Sequence, residues 1–198
     1  MRLVGEEYSE RLRLFSSFTL VLISGIGAIS REVSDKMLDI TTNSELSEEQ
    51  VIEKLLELKS IHSRLKAVTY ADALKIVCGA LEDGLFYSLL DILDDNVELF
   101  YEDSEKRACG IRDVIESLVC ERLDHLYPSD EKTITCDIAT VVEGERYGIG
   151  EKCILLTYNL ENQKKQFYVI KPRLNNYQID RIEFLRAQFP LTLEIDES

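Results

Sequence analysis

Between Glu82 and Glu105 the chain carries nine carboxylates, and no Lys or Arg interrupts the stretch from Lys75 to Lys106. Carboxylates at this density are either acid–base groups or the wet face of a fold. They do acid–base chemistry when their environments push their pKa values apart. Here Glu82-Asp83 closes a helical pattern and Asp94-Asp95 falls in a turn before the strand-like NVELFYE. Most of these acids are therefore expected in solvent. Tyr101, Tyr158 and Tyr168 fall in strand patterns and are the pocket candidates, with hydroxyl donors and aromatic walls for a small ligand. Asp137 is the fourth candidate. It alternates with Ile134, Cys136 and Ile138 and so takes the opposite strand face. Lining an interior, it would be a buried acid with a raised pKa and a candidate general base; facing water, it is an ordinary surface charge.

Other chemistries find less support. Glu121 and His125 stand one helical turn apart with Asp124 beside them, which can begin a metal site, but no third ligand follows at an informative spacing. His62 has no recognisable acid–base partner. The five cysteines (78, 109, 120, 136 and 153) are odd in number and contain no CxxC pair. That pattern fits buried thiols in a reducing cytoplasm. Gly25-Ile26-Gly27 lies in a helix pattern and Gly148-Ile149-Gly150 in a hairpin turn, so neither has the strand–loop–helix context that cradles phosphate. No cofactor and no metal are expected.

Charge narrows the partners. The net charge is −14, with −2 on residues 1–66 and −12 on residues 67–198. An acidic surface repels phosphate, which argues against nucleic acid and anionic membranes. Leu14 to Ser30 is 17 residues without a charge, but with four Ser, one Thr and two Gly it is short and polar for a membrane span. Its apolar residues continue a helical row: Leu12, Phe15, Leu22, Ile26, Ile29, Val33 and Ile40, with Thr19 among them.

These residues must be positioned by a small set of elements. Glu6 to about Asp39 reads as one long helix, weakened at Gly25 and Gly27. Ser47 with Gln50 makes a capping box for a second helix to about Lys66, and the two should pair as an antiparallel hairpin. Thr69 caps a helix to about Asp83, Gly84 breaks it, and Leu85 to Leu93 forms a short helix. The strand Asn96–Glu102, a short return at Arg107–Cys109 and a helix over Ile111–Leu126 follow. Four strands close the chain: 133–142, 151–160, 165–171 and 177–185. Helices first and strands last predict an α+β fold, with three helices on one face of a curved antiparallel sheet. The predicted organisation is a helical hairpin over residues 1–66 and a cone-shaped domain over 67–198.

The order Ala80-Leu81-Glu82-Asp83-Gly84, Leu89-Leu90-Asp91-Ile92-Leu93-Asp94-Asp95-Asn96-Val97, Glu98-Leu99-Phe100-Tyr101 and Gly110-Ile111-Arg112-Asp113-Val114-Ile115, closed by Ile179-Asp180-Arg181-Ile182-Glu183-Phe184, resembles the nuclear-transport-factor-2-like superfamily, which includes ketosteroid isomerases and polyketide cyclases. The resemblance covers about residues 69–187 and not the N-terminal 66. It implies a cone with an internal pocket, and dimerisation through the outer sheet face. It does not imply one activity, because the superfamily holds isomerases, dehydratases, cyclases, binding proteins and interaction modules. By its spacing, the isomerase base position falls at Tyr101 and the donor tyrosine near Val77, so neither matches. Glu102 is adjacent but alternates to the other face. The His and Asp of scytalone-dehydratase-like chemistry have no counterpart on the strands, since the two histidines are His62 and His125. The reading is a cytoplasmic, homodimeric, non-enzymatic module that binds a small hydrophobic molecule or a protein. The alternative is an isomerase, dehydratase or cyclase using Asp137 and a tyrosine.

Overall fold

A computed structural model describes residues 9–27, 29–62, 68–101, 104–126, 133–144, 147–159, 165–187 and 191–196. The chain divides into two compact units, residues 1–65 and 66–198.

In the first unit the expected long helix is broken. Residues 9–12 are helical; α1 then spans Ser17–Gly27, α2 spans Arg31–Thr42 and α3 spans Glu48–His62. The stop after α1 follows its two glycines, and Ser30 restarts the chain by accepting a hydrogen bond from the Val33 amide. Helix α1 packs on both α2 and α3, which a continuous helix through α2 could not do. The two-helix hairpin is thus a three-helix arrangement, with Leu22, Ile26, Val51 and Leu55 fully buried. The Ser47–Gln50 capping box forms as the sequence predicts, and α3 ends at His62. Among the described residues no helix is long and apolar enough to cross a membrane.

In the second unit α4 spans Tyr70–Asp83 and opens with a full Thr69–Asp72 capping box. Gly84 ends it in the left-handed conformation, at φ 76°. The expected short helix is a 3-10 turn, Phe86–Asp91, and the chain enters β1 (Leu93–Tyr101) three residues earlier than the sequence suggests. Strand β2 (Ser104–Cys109) and α5 (Ile111–Leu126) follow. The remaining strands are β3 (Thr133–Glu143), β4 (Lys152–Asn159), β5 (Lys165–Asn175), β6 (Gln178–Arg186) and β7 (Thr192–Ile195).

The seven strands form one sheet in the order β2-β1-β6-β5-β4-β3-β7. The α+β class stands, but the sheet is mixed: β1 lies parallel to β6, and every other pairing is antiparallel. A meander of hairpins cannot make the β1–β6 neighbourhood, because those strands are remote in sequence. Residues 172–175, which the expected strand ends at 171 and 177 would leave as a turn, belong to a strand. Strand β5 runs through Pro172, and the reversal comes at Asn176 and Tyr177, whose φ values of 49° and 64° suit a two-residue hairpin turn. Proline fits there because β4 pairs with β5 only as far as Ile170, leaving an edge beyond it.

Both sheet faces are apolar in part. One carries Leu99, Ile154, Leu156, Ile170, Ile182 and Phe184, all fully buried, and α4 and α5 pack on the sheet with Leu74, Val77, Val114 and Leu118. The other has a smaller cluster of Ala139, Val141, Tyr147, Cys153 and Val169, covered in part by Leu191 and Leu193. That cover comes from β7, a strand too short and exposed to stand out in the sequence, and from the residue before it.

Candidate functional site

Strand register gathers the aromatic residues. Tyr101 on β1 neighbours Phe184 on β6; Phe184 pairs with Ile170, and Tyr168 with Leu156, so Tyr168 and Phe184 share a face. The Tyr101 and Phe184 rings stack with centroids 4.8 Å apart. Tyr168 meets Phe184 edge-on at 6.2 Å and Tyr158 edge-on at 6.0 Å. The four rings form a row across β1, β6, β5 and β4. Tyr158 and Phe184 are buried, while Tyr101 and Tyr168 are half-buried.

Helix α5 brings a carboxylate to this row. Val114, Leu118 and Glu121 recur at the i, i+4, i+7 spacing of one helix face. The Tyr158 hydroxyl donates to Glu121 Oε1 at 3.5 Å, and Tyr101 also hydrogen-bonds Glu121. Burial pushes the Tyr101 phenol well above its ordinary value, and the Glu121 charge pushes it further. The same two causes, in the same order, raise Tyr158. Both phenols therefore stay protonated near neutral pH and serve as donors. The next residue anchors the helix: Arg122 donates from Nε to the Leu81 carbonyl at 2.9 Å and from its guanidinium to the Glu82 carbonyl at 3.0 Å. These are the carbonyls at the end of α4 that no helical N–H reaches.

The same face holds two thiols. Cys136 on β3 is hydrogen-bonded to Cys78 on α4; that bond, then burial, raises the Cys136 thiol far above its usual value. Such a thiol is a poor nucleophile.

Of the sequence candidates, the structure brings Tyr101, Tyr158 and Tyr168 together and leaves Asp137 apart. Asp137 pairs with Leu155, and Leu155 with Val169, so it takes the face of the smaller cluster. An acid–base pair of Asp137 with one of these tyrosines is not assembled. Glu102 and the side chain of His125 lie outside the described residues. His62 is exposed at the end of α3. No group of three or more potential metal ligands occurs among the described residues. The residue missed from the sequence as a pocket group is Glu121. Its signal was a carboxylate standing in the apolar row of an otherwise regular amphipathic helix.

The arrangement has apolar ring walls, two protonated phenols and one carboxylate acceptor. It suits a ligand with an apolar body and a polar end that can accept from a phenol or donate to the carboxylate.

No family model matches the chain, and no curated protein matches it. Solved structures similar to it include a nuclear-transport-factor-2-like protein of unknown function from Cytophaga hutchinsonii, 16% identical over 61% of this chain and 100% of that one, with a TM-score of 0.42. A second protein of the same kind, from Burkholderia xenovorans, is 18% identical over 60% of this chain and 82% of that one, with a TM-score of 0.38. A SnoaL-like-family protein from Agrobacterium tumefaciens is 8% identical over 60% and 97%, with a TM-score of 0.39. Other neighbours are provisionally named isomerases.

Proposed function

We propose that residues 66–198 are a small-molecule-binding module without turnover, whose ligand seats its apolar body on the row Tyr101, Phe184, Tyr168 and Tyr158 and its polar end at Glu121. The observation that carries this reading is the Glu121 carboxylate held at the Tyr158 hydroxyl, beside the rings. The absence of turnover rests on Tyr101, which occupies the strand position where the resemblance would place a base. A phenol with so raised a pKa does not accept a proton near neutral pH. The module is proposed to be cytoplasmic, in keeping with its free thiols, and to act as a homodimer.

The test uses 2-naphthol, a fluorescent two-ring probe with one hydroxyl. Saturable binding that weakens about tenfold in Glu121→Gln and in Tyr158→Phe supports the reading. Equal binding by wild type and both variants sinks it. Turnover of a Δ5-3-ketosteroid, lost in Tyr101→Phe, would replace binding with the isomerase alternative.

A further inference from the structure

A cavity of about 630 Å³ lies away from the aromatic row, in the same unit. Its size is in the range that accommodates small organic ligands. Tyr70, Pro172 and Leu174 give it apolar surface. Lys152, Lys171 and Arg173 contribute positive charge, and Glu151 and Glu183 negative charge. Lys171 and Glu183 are direct cross-strand partners, and alternation puts them on the face opposite Ile170 and Phe184. This cavity is therefore distinct from the aromatic row.

Each cation of the cavity already has a carboxylate. Lys152 pairs with Asp196, Lys171 with Glu151, and Arg173 with Asp180 through two parallel 2.9 Å bonds. Glu183 in turn pairs with Arg181. A ligand with a single charge adds an unmatched charge to this already paired lining, at a desolvation cost. A ligand with both charges sets a carboxylate by a cation and an ammonium by a carboxylate, and leaves the balance of the lining unchanged. An ammonium also has three donors, and Lys171 Nζ uses two among the described residues, on the Tyr147 carbonyl at 2.6 Å and on Glu151. Its third is available to an incoming carboxylate, with Glu183 beside it for an incoming ammonium. The acidic surface of residues 67–198 further disfavours a purely anionic ligand.

We propose that this cavity binds a zwitterionic amino acid or short peptide with an apolar side chain, its carboxylate on Lys171, its ammonium on Glu183 and its side chain against Tyr70, Pro172 and Leu174.

The experiment is an amide-resolved NMR titration of the full chain with three probes: L-alanyl-L-phenylalanine, the anionic N-acetyl-L-phenylalanine and the cationic L-phenylalaninamide. The dipeptide should shift the Tyr70 and Leu174 amides saturably and bind about tenfold more tightly than either singly charged probe. Lys171→Met should weaken the dipeptide about tenfold, as should Glu183→Gln. Lys171 also holds the Tyr147 loop, so Glu183→Gln decides the matter if Lys171→Met fails to fold. Singly charged probes that bind as well as the dipeptide would overturn the proposal, as would no saturable shift at these residues. Binding of 2-naphthol at Glu121 is read on different residues, so either site can fail without the other.

Discussion

Tyr158 on β4 and Glu121 on α5 meet at 3.5 Å, a separation of 37 residues closed by helix-on-sheet packing. The contact joins a phenol on the inner sheet face to a carboxylate on the helix covering it. A bond of that length is weak by itself, so the charge of Glu121 matters more than the bond. The charge adds to the larger effect of burial on two phenols and helps hold both protonated, as donors.

Removing that charge should be visible on the phenols. In Glu121→Gln the titration midpoints of Tyr101 and Tyr158 should fall, yet stay above 10 because burial is the larger cause. Selective 13C labelling of the tyrosine Cζ atoms reads both sites. Midpoints that do not move would show that Glu121 is not the charge they feel.

The buried phenols also set an alkaline limit. Tyr70 is raised from 10.0 to about 12, chiefly by burial, and Tyr101 and Tyr158 are raised further. Above pH 10 the unfolded chain releases protons that the folded chain retains. The unfolded state then binds fewer protons, so stability falls as pH rises. Urea midpoints should begin to decline near pH 9, where the unfolded thiols of Cys136 and Cys153 ionise first, and fall more steeply from about pH 10 to 12 as the phenols follow. Tyr70→Phe should make the decline shallower across that window, and an identical decline would remove Tyr70 as a contributor.

The thiols should separate by accessibility. Cys109 and Cys120 are exposed, Cys78 and Cys153 are buried, and Cys136 is bonded to Cys78. Burial pushes the Cys153 thiol up to about 11. Iodoacetamide at pH 8 should modify Cys109 and Cys120 first, with Cys136 and Cys153 reacting only on unfolding. Mass spectrometry of timed digests gives the order, and early labelling of Cys136 would contradict its placement against α4.

How far the sequence reaches is clearest at particular residues. Thr69, Gly84 and the Ser47–Gln50 box were legible because a cap is local chemistry: one side chain meets an amide three residues away. Helix α5 was legible from end to end because Gly110 and the Val114–Leu118 spacing define it. The β1–β6 pairing was not, since parallel neighbours so distant carry no turn signature. Pro172 misled for a physical reason. Proline usually marks a turn, and only the end of β4 pairing at Ile170 makes it tolerable inside β5. At the site, alternation placed three tyrosines on strands and correctly offered Asp137 the opposite face from Cys136. Glu121 escaped because its neighbour His125 drew the helix into a metal question, when its own position on the apolar stripe was the informative fact.

The junction between α4 and α5 gives the last prediction. Gly84 sits at φ 76°, and a Cβ there would meet the Arg122 guanidinium at 3.4 Å. Gly84→Ala therefore carries left-handed backbone strain of about 1–2 kcal/mol, while its Cβ makes only van der Waals contact with Arg122. Arg122 supplies the two hydrogen bonds that tie α5 to the end of α4, one residue from Glu121. A backbone shift that relieves the strain moves the Leu81 and Glu82 carbonyls, so it should reach the site as well as the fold. Thr69→Ala is the control: it loses the cap at the other end of α4, for about 1 kcal/mol, without touching Arg122. Denaturation should show both variants destabilised, while 2-naphthol binding should weaken in Gly84→Ala and hold in Thr69→Ala. Equal binding losses in the two would mean that global stability, and not the Arg122 anchor, governs the position of Glu121.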